Sequence, residues 1–493
     1  MAGTESTGRR HERHVPDGVI LALVCVAQFM VVLDVSIVNV ALPSIKGDLH
    51  YSATGLQWVV NAYVLTFAGF LLLGGRIADL LGRRRVFIGG LAMFSVASLL
   101  GGLAQTSGEL TAARAVQGLG GAVLSPATLT IIMTTFTEGE KRHRALGAWS
   151  AVAGAGGAFG VILGGVLTSY LSWRWVLYVN IPIGVAAGLA ALTFLSESRR
   201  ADAEHSLDVA GAILATGGLA LLVYGIVGTD THPWSSARTI GLLIGAVAIL
   251  AVFLLTQARL ARSPLMPLSL FRSRWVSAAN LVMLLLGIAF FSMWYFLSLY
   301  LQEVHGYGPL KAGLLFLPMS ASIIVGAQTS GRVIGRAGPR NLLVIGLAMS
   351  AGGFAWLTQL SATSGYVEGV LGGTVLISLG MGLSFTPLAT AATTGVHYTQ
   401  AGLASGVLNT SRQVGGSIGL AALATIATAR FNHLVGTGSS QPVALSGGFD
   451  RAFLVAAVVC AVATLASFAI PRSDRPADER TSWEAEPAAA AVD

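Results

Sequence analysis

The stretch VILALVCVAQFMVVLDVSIVNV, from Val19 to Val40, holds one charged residue, Asp34, among mostly apolar side chains. At 1.5 Å per residue, a helix of this length is about 33 Å long and crosses the ~30 Å hydrocarbon core of a bilayer. It is too long for the apolar region of a cleaved signal peptide. We therefore expect a membrane protein whose first helix carries a carboxylate at membrane depth.

Apolar runs of similar length recur along the whole chain. Only 11% of its 493 residues are charged, whereas soluble domains average about a quarter, and the mean hydropathy is +0.72. The runs lack the alternation of a barrel strand, so helices must satisfy the backbone in lipid. We predict an all-α polytopic membrane protein with fourteen spanning helices. Their expected limits are 19–41, 56–75, 86–105, 109–132, 145–169, 176–195, 207–228, 239–258, 276–301, 311–331, 341–360, 366–389, 402–428 and 451–470.

Lysine and arginine residues are spread unequally over the loops. If both termini are cytoplasmic, most of the 30 Lys and Arg residues face inside. The few expected outside are Lys46, Arg174, Arg238, Lys311, Arg430 and Arg451. The positive-inside rule therefore predicts cytoplasmic termini and a multi-pass protein of the bacterial cytoplasmic membrane. Because the basic residues form no single face, the net charge of +7 does not indicate nucleic-acid binding.

The loops after the second and tenth helices share a pattern. GRIADLLGRRR (Gly75–Arg85) and GRVIGRAGPR (Gly331–Arg340) both begin with Gly-Arg and carry a later glycine close to an arginine. Their matching positions predict two parallel repeats of six helices with two extra helices between them. The expected segments are a cytoplasmic tail at 1–16, a six-helix bundle at 17–200, two inserted helices at 201–270, a second bundle at 271–470 and a disordered tail at 471–493.

Several further motifs occur in order. They are LDVSIVNVALP (Leu33–Pro43), RAVQGLGGA (Arg114–Ala122), GGAFGVILGGVL (Gly156–Leu167), WRWVLYVNIPIG (Trp173–Gly184) and NTSRQVGGSIG (Asn409–Gly419). Together with the loop motif, they resemble the major facilitator superfamily over nearly the whole chain. Within it, they resemble the fourteen-helix drug:proton antiporters of the EmrB/QacA type.

This resemblance implies a major facilitator fold and export by alternating access, driven by the proton gradient without a cofactor or metal. It implies an amphipathic small-molecule substrate, protons and the lipid bilayer as partners, and a functional monomer that is not an enzyme. In the loop motif, Gly75, Asp79, Gly82 and Arg83 are implied to form a tight turn and a charge contact between the halves. Arg84 and Arg85 are expected only to fix topology.

Two positions depart from the pattern of the family. Val161 follows Gly160 where the antiporter motif has proline, and Leu80 follows Asp79 where a basic residue is usual. The missing proline bears on the direction of transport, because that proline shapes the bend of the fifth helix.

Asp34 and Arg114 are the leading candidates for proton coupling. Counted from the ends of their helices, both lie about 22 Å from the cytoplasmic side of the same bundle. A buried charge needs a partner, a cavity or a proton. One interpretation is an ion pair that only neutralises both charges. We favour the other, in which Asp34 binds a proton in one state and releases it in another.

Other residues have two interpretations each. Gly156, Gly160, Gly164 and Gly165 either pack helices closely or form a flexible seal against leakage. The polar residues either line a cavity or bond to neighbouring helices; they are Asn39, Asn61, Gln117, Asn409, Arg412 and Gln413. Trp294 and its aromatic neighbours suit an interfacial belt or a drug pocket, and the belt is favoured. Glu303 is expected to be solvated.

Enzymatic motifs are missing or misplaced. None of the three lysines follows the glycine spacing of a P-loop, so ATP-driven export by this chain is excluded. Gly415–Gly419 fits G-x-S-x-G but lies in an apolar run and not at a strand-to-helix turn. Proton-driven drug export is therefore the leading hypothesis. Transport of one metabolite, such as an amino acid, siderophore or lipid, and a non-transporting membrane sensor remain as alternatives.

Overall fold

The computed structural model describes residues 16–136, 139–197, 207–261, 264–396 and 400–471. Nearly all of tail 1–16 and of tail 471–493 lies outside these ranges. Within them the regular structure is entirely helical. The helices are α1 Asp17–Asp48, α2 Trp58–Leu81, α3 Arg83–Leu103, α4 Ser107–Thr135, α5 Gly139–Tyr170, α6 Trp175–Phe194, α7 Val209–Val227, α8 Ala237–Leu255, α9 Arg274–Leu299, α10 Pro309–Ala337, α11 Pro339–Leu357, α12 Gly372–Thr393, α13 Ala401–Gly436 and α14 Gln441–Ser467.

Thirteen of these helices are long and apolar enough to cross a membrane. The remaining one, α5, is 32 residues long, and its described apolar part is Gly156–Tyr170. The predicted number of helical segments is therefore confirmed. Several predicted ends are wrong: α1 and α13 extend past their apolar runs, and α14 begins ten residues before 451. Hydropathy detects the part of a helix that lies in hydrocarbon, whereas hydrogen bonding continues the helix into the polar layer.

Local sequence explains several helix starts. Thr106 begins α4 with a capping box, in which its side chain accepts from the Glu109 N–H and its own N–H donates to the Glu109 carboxylate. Proline stands in the first turn of α10, α11 and α14, where its missing N–H costs no helical bond. These signals fix where the helices begin and hence the depth of the side chains that they carry.

Two glycines make matching turns in the two repeats. Gly82 joins α2 to α3 with φ of 103°, and Gly338 joins α10 to α11 with φ of 74°. Each stands seven residues after the first glycine of its Gly-Arg pair. A side chain is strained at such φ values, and a methyl group on Gly82 would also overlap the Glu197 carboxylate. The weak sequence repeat thus coincides with a repeated backbone turn.

The helix contacts form two groups. Helices α1 to α6 pack with one another, as do α9 to α14. The groups meet mainly where α2 packs on α13 and α5 packs on α10. Helix α7 lies against both α2 and α13, with Thr216 beside Gly69, and α8 packs mainly against α7. The two extra helices therefore cover the α2–α13 seam.

Side chains join the two groups at the end of the molecule where α1 and α9 finish. Lys46 Nζ lies 2.7 Å from the Glu303 carboxylate, with side-chain exposures of 30% and 18%. Ser298 Oγ donates to the Asn39 carbonyl at 2.7 Å, and Gln302 Nε2 donates to the Val40 carbonyl at 3.0 Å. Gln302 and Glu303 lie in the helical segment Tyr300–Val304 that directly continues α9, and we call these three contacts the α1–α9 latch. By the distribution of basic residues, this is the end predicted to face outside.

Candidate functional site

Asp34 lies at the centre of a buried hydrogen-bond network in the first group of helices. Its side chain is fully buried, and Arg114 Nη1 donates to its Oδ2 at 2.5 Å. Its Oδ1 accepts from Gln117 Nε2 at 2.7 Å and from Asn180 Nδ2 at 3.0 Å. Three donors from α4 and α6 therefore surround one carboxylate on α1 and satisfy its buried oxygens with hydrogen bonds.

Arg114 is held by more than Asp34. Its Nε donates to the Val59 carbonyl at 3.0 Å, and its Nη1 also donates to Gln117 Oε1 at 2.8 Å. The guanidinium lies over the Tyr63 ring, 4.5 Å from the ring centre. These contacts fix the guanidinium in one position, so a proton-dependent change would be expected on the side of the carboxylate.

Ser98 connects the network to α3. Its hydroxyl accepts from Gln117 Nε2 at 3.2 Å and from Asn180 Nδ2 at 3.0 Å, and it donates to the Leu177 carbonyl at 2.8 Å. Asn180 Oδ1 and the Tyr63 hydroxyl are buried without a hydrogen-bond partner in the structure. We call Asp34, Ser98, Arg114, Gln117 and Asn180 the carboxylate network. Because it draws on four helices, any relative movement of those helices would change the bonds to Asp34.

Sequence reasoning missed Ser98 and Asn180. Asn180 was visible only as a letter within the Trp173–Gly184 motif, and Ser98 stands in a run without a motif. The sequence marks them in one way: both are polar residues inside apolar runs. Gln117, expected among the cavity candidates, is 1% exposed and belongs to the carboxylate network. Glu303, expected to be solvated, keeps partial exposure and is also paired with Lys46.

The loop motif is described in part. Gly75 lies against Pro126 of α4, Gly82 forms the turn already noted, and Arg83 begins α3. The side chain of Asp79 lies outside the described part of the structure, so its implied charge contact stays a prediction. Arg84 Nη2 donates to the Leu192 carbonyl at 2.5 Å, and Arg85 Nε lies 3.6 Å from Glu197. These two arginines thus connect α3 to the end of α6, beyond the topological role expected of them.

The glycines of α5 pack against two different helices. Methyl groups on Gly156, Gly160 and Gly164 would press on Val32, Ser36 and Ile37 of α1, respectively. A methyl group on Gly165 would lie 2.8 Å from the Pro309 carbonyl of α10, across the boundary between the two groups. Val161 is fully buried in an unbroken α5, and its carbonyl adjoins Gly313 of α10. The three glycines that contact α1 therefore pack within the first group of helices, whereas Val161 and Gly165 pack between the two groups.

The remaining polar candidates are dispersed. Asn39 Nδ2 donates to the Val35 carbonyl within α1 at 2.8 Å, and Asn61 Nδ2 donates at 3.3 Å to Oε1 of Gln57, the residue just before α2. Gln413 is buried in α13. Arg412 and Asn409 are half-buried in the same helix and bond to each other at 2.8 Å.

The aromatic residues of α9 lie inside the protein. Trp294 is 9% exposed, and Tyr295, Phe296 and Tyr300 are buried more completely. Trp294 stacks on Phe316 with ring centres 5.2 Å apart. A belt at the membrane interface would face lipid, so the belt favoured from the sequence is wrong for these side chains.

The structure also bears on metal binding. Across the described ranges, no group of three or more His, Cys, Asp or Glu side chains could hold a metal ion. Cys25 and Cys460 are both free and buried.

Comparisons with known proteins agree with this architecture. Residues 24–420 match the family model described as Major Facilitator Superfamily. The chain is 44% identical to the cephamycin export protein CmcT of Amycolatopsis lactamdurans, over 94% of this chain and 95% of that protein. It is 39% identical to the puromycin resistance protein pur8 of Streptomyces alboniger, over 95% of this chain and 94% of that protein. A bacterial homologue of the human lysosomal transporter Spinster has a similar fold, with a TM-score of 0.66 and 16% identity. The match covers 92% of this chain and 97% of that protein.

Proposed function

Because the chain belongs to the major facilitator superfamily and its relatives are named as antibiotic export or resistance proteins, we propose that it exports amphipathic antibiotics or drugs in exchange for protons. The chain is a transporter of small molecules rather than an enzyme, and it is a multi-pass protein of the bacterial cytoplasmic membrane. We further propose that it works as a monomer in the bilayer, with the proton gradient as its only energy source and without a cofactor or metal.

The buried ion pair of Asp34 and Arg114 carries the proposal of proton coupling. Burying a charge pair in a spanning bundle costs several kcal/mol of desolvation per ion in order of magnitude, and only good hydrogen bonding offsets that cost. A scaffold or sensor has no need for such a pair. Asp34 is the only one of the two that can become neutral, because the guanidinium stays protonated. Proton uptake by Asp34 would therefore cancel its attraction to Arg114 and release α1 from α4.

The α1–α9 latch supports a conformational cycle around this pair. It joins the two groups at the predicted outer end, so we propose that this structure is closed toward the outside. Opening would separate α1 from α9. Since Asp34 and Asn39 lie on the same helix, a proton-dependent shift of α1 would act directly on the latch.

The test is efflux of a panel of dyes and antibiotics from a pump-deficient bacterium that expresses the full chain. We expect efflux that an uncoupler abolishes, and we expect Asp34→Asn to reduce it by at least tenfold at equal protein level. Asp17→Asn, at the exposed start of the same helix, is the matched control and should transport normally. Gradient-driven efflux that persists in Asp34→Asn would contradict proton coupling at this site. Efflux of one metabolite and of no drug would favour the narrower substrate class.

A further inference from the structure

Arg412 is a permanent positive charge at mid-membrane depth in the second group of helices. It lies about 17 Å along α13 from Ala401, and its carbonyl adjoins Gly287 in the middle of α9. Its Nη2 donates to Asn409 Oδ1 at 2.8 Å, and its Nε is buried without a hydrogen-bond partner. Among the described ranges of the chain, no carboxylate forms an ion pair with it.

Asp450, an acidic residue on the adjoining helix α14, lies at a different depth from Arg412. Asp450 of α14 is two residues from Gly448, which adjoins the carbonyl of Ala427 in α13. Ala427 is about 22 Å along α13 from Arg412, so Asp450 cannot neutralise this guanidinium. The Asp34–Arg114 pair is self-neutralising. Within the part of the chain that the structure describes, the charge of Arg412 is therefore uncompensated, at a depth where charges are expensive.

A row of aromatic rings begins beside this charge. The guanidinium carbon lies 6.0 Å from the centre of the Phe385 ring. Phe385 meets Phe290 at 5.8 Å, Phe290 meets Trp294 at 6.4 Å, and Trp294 stacks on Phe316 at 5.2 Å. Phe385 and Phe290 are half-buried, whereas Trp294 and Phe316, further along the row of rings, are buried. An apolar site with a few convergent polar groups is the usual form of a small-molecule site.

We propose that Arg412 and Asn409 bind the carboxylate of an aromatic amphipathic substrate, whose rings lie against Phe385 and Phe290. This assignment rests on the proposed export function and specifies its substrate class. A carboxylate would supply the acceptor that Arg412 Nε lacks, and the planar fork of a guanidinium binds both oxygens of a carboxylate. In a site with little water, such a bond is stronger than in solution. The Arg412–Phe385 site therefore favours organic anions over cations of the same size.

The test measures binding to the purified full-length protein, separately from transport. The probes are 1-pyrenebutyrate and its neutral amide, 1-pyrenebutyramide, with Kd read from quenching of tryptophan fluorescence. We expect the wild-type protein to bind the acid about tenfold to a hundredfold more tightly than the amide. Arg412→Gln should remove that difference and leave the Kd of the amide unchanged, which also shows that the variant is folded. Arg412→Lys should keep part of the preference, since it keeps the charge without the fork.

Arg430→Gln is the matched control, because it removes the same charge from the same helix near its other end. It should bind both probes as the wild type does. Equal Kd values for acid and amide in the wild type would overturn the assignment, as would an equal loss of both in Arg412→Gln. Uncoupler-sensitive efflux in cells tests the proposed function separately. If a cationic dye is exported and the acid does not bind, the site fails and the proposed function stands.

Discussion

Asn180 is the residue of the carboxylate network that can bond to Asp34 in either protonation state. Its amide now donates to Asp34 Oδ1, while its own oxygen is buried without a partner. A neutral carboxylic acid has a proton to donate, and a rotated amide would present the oxygen that accepts it. The arrangement is thus suited to a group that gains and loses a proton while sealed from water.

We therefore predict that Asn180→Leu strongly lowers the initial rate of proton-coupled efflux and has a smaller effect on the thermal midpoint of the protein. Removing one hydrogen bond to a charged group costs about 1.5–3 kcal/mol, and Leu can satisfy neither state of Asp34. Initial efflux rate and thermal midpoint, measured together, check this. Asn341→Leu is the control, because Asn341 is exposed at the start of α11 and its amide donates to the nearby Ala337 carbonyl. A normal efflux rate in Asn180→Leu would show that the amide only fills space.

The sequence predicts this site in part. Counting residues along α1 and α4 places Asp34 and Arg114 at one depth, and the structure joins them at 2.5 Å. It does not reveal Ser98 or Asn180, because depth follows from the residue count, while the direction of a side chain depends on helix rotation. Rotation is set by packing between helices, such as the close approach of Gly120 to Phe94.

At the scale of elements, helix α5 packs one face against the first group of helices and another face against the second group. Gly160 and Gly164 pack on α1, and Gly165 packs on Pro309 and Leu310 of α10. The small-residue spacing predicts close packing of a helix but not its partners. The absence of proline at 161 is compatible with the continuous helix, and the carbonyl of Val161 forms part of the surface against α10.

This division leads to a prediction about Gly165→Ala. The new methyl group would meet backbone atoms of α10, at 2.8 Å from the Pro309 carbonyl and 2.9 Å from Leu310 Cα, so the two groups would have to move apart. We expect slower transport with near-normal expression. Gly157→Ala is the matched control, since its methyl group meets nothing within 4 Å and alanine favours the helix by roughly 0.5–1 kcal/mol. Initial efflux rates of the two variants test this prediction. Equal rates would rule out a role for the contact between Gly165 and α10 in transport.

At the scale of the whole molecule, the sequence predicts two groups of helices but not how they meet. The extra helices α7 and α8 were expected between the repeats, and in space α7 lies on the α2–α13 seam. No pattern of residues within one helix encodes a contact with another helix more than 200 residues away. Lys46 and Glu303 are such a pair, and each stands at a helix end where an isolated charge is ordinary.

The latch predicts how the outer end opens. Lys46→Glu would place two carboxylates together and weaken the closed arrangement, and adding Glu303→Lys would restore the attraction. Ser298→Cys reports on opening, because Ser298 is fully buried beneath the pair and the native Cys25 and Cys460 are buried. With a membrane-impermeant thiol reagent applied outside, we expect Lys46→Glu to raise the labelling rate of that cysteine by about twofold to fivefold, since a partly exposed ion pair contributes up to about 1 kcal/mol. The double charge exchange should return the rate to its starting value.

Arg174→Glu is the control, because it breaks an ion pair with Asp48 at the same end but within one group, so it should leave labelling unchanged. An equal increase in that control would mean that the added negative charge, and not separation of α1 from α9, controls access.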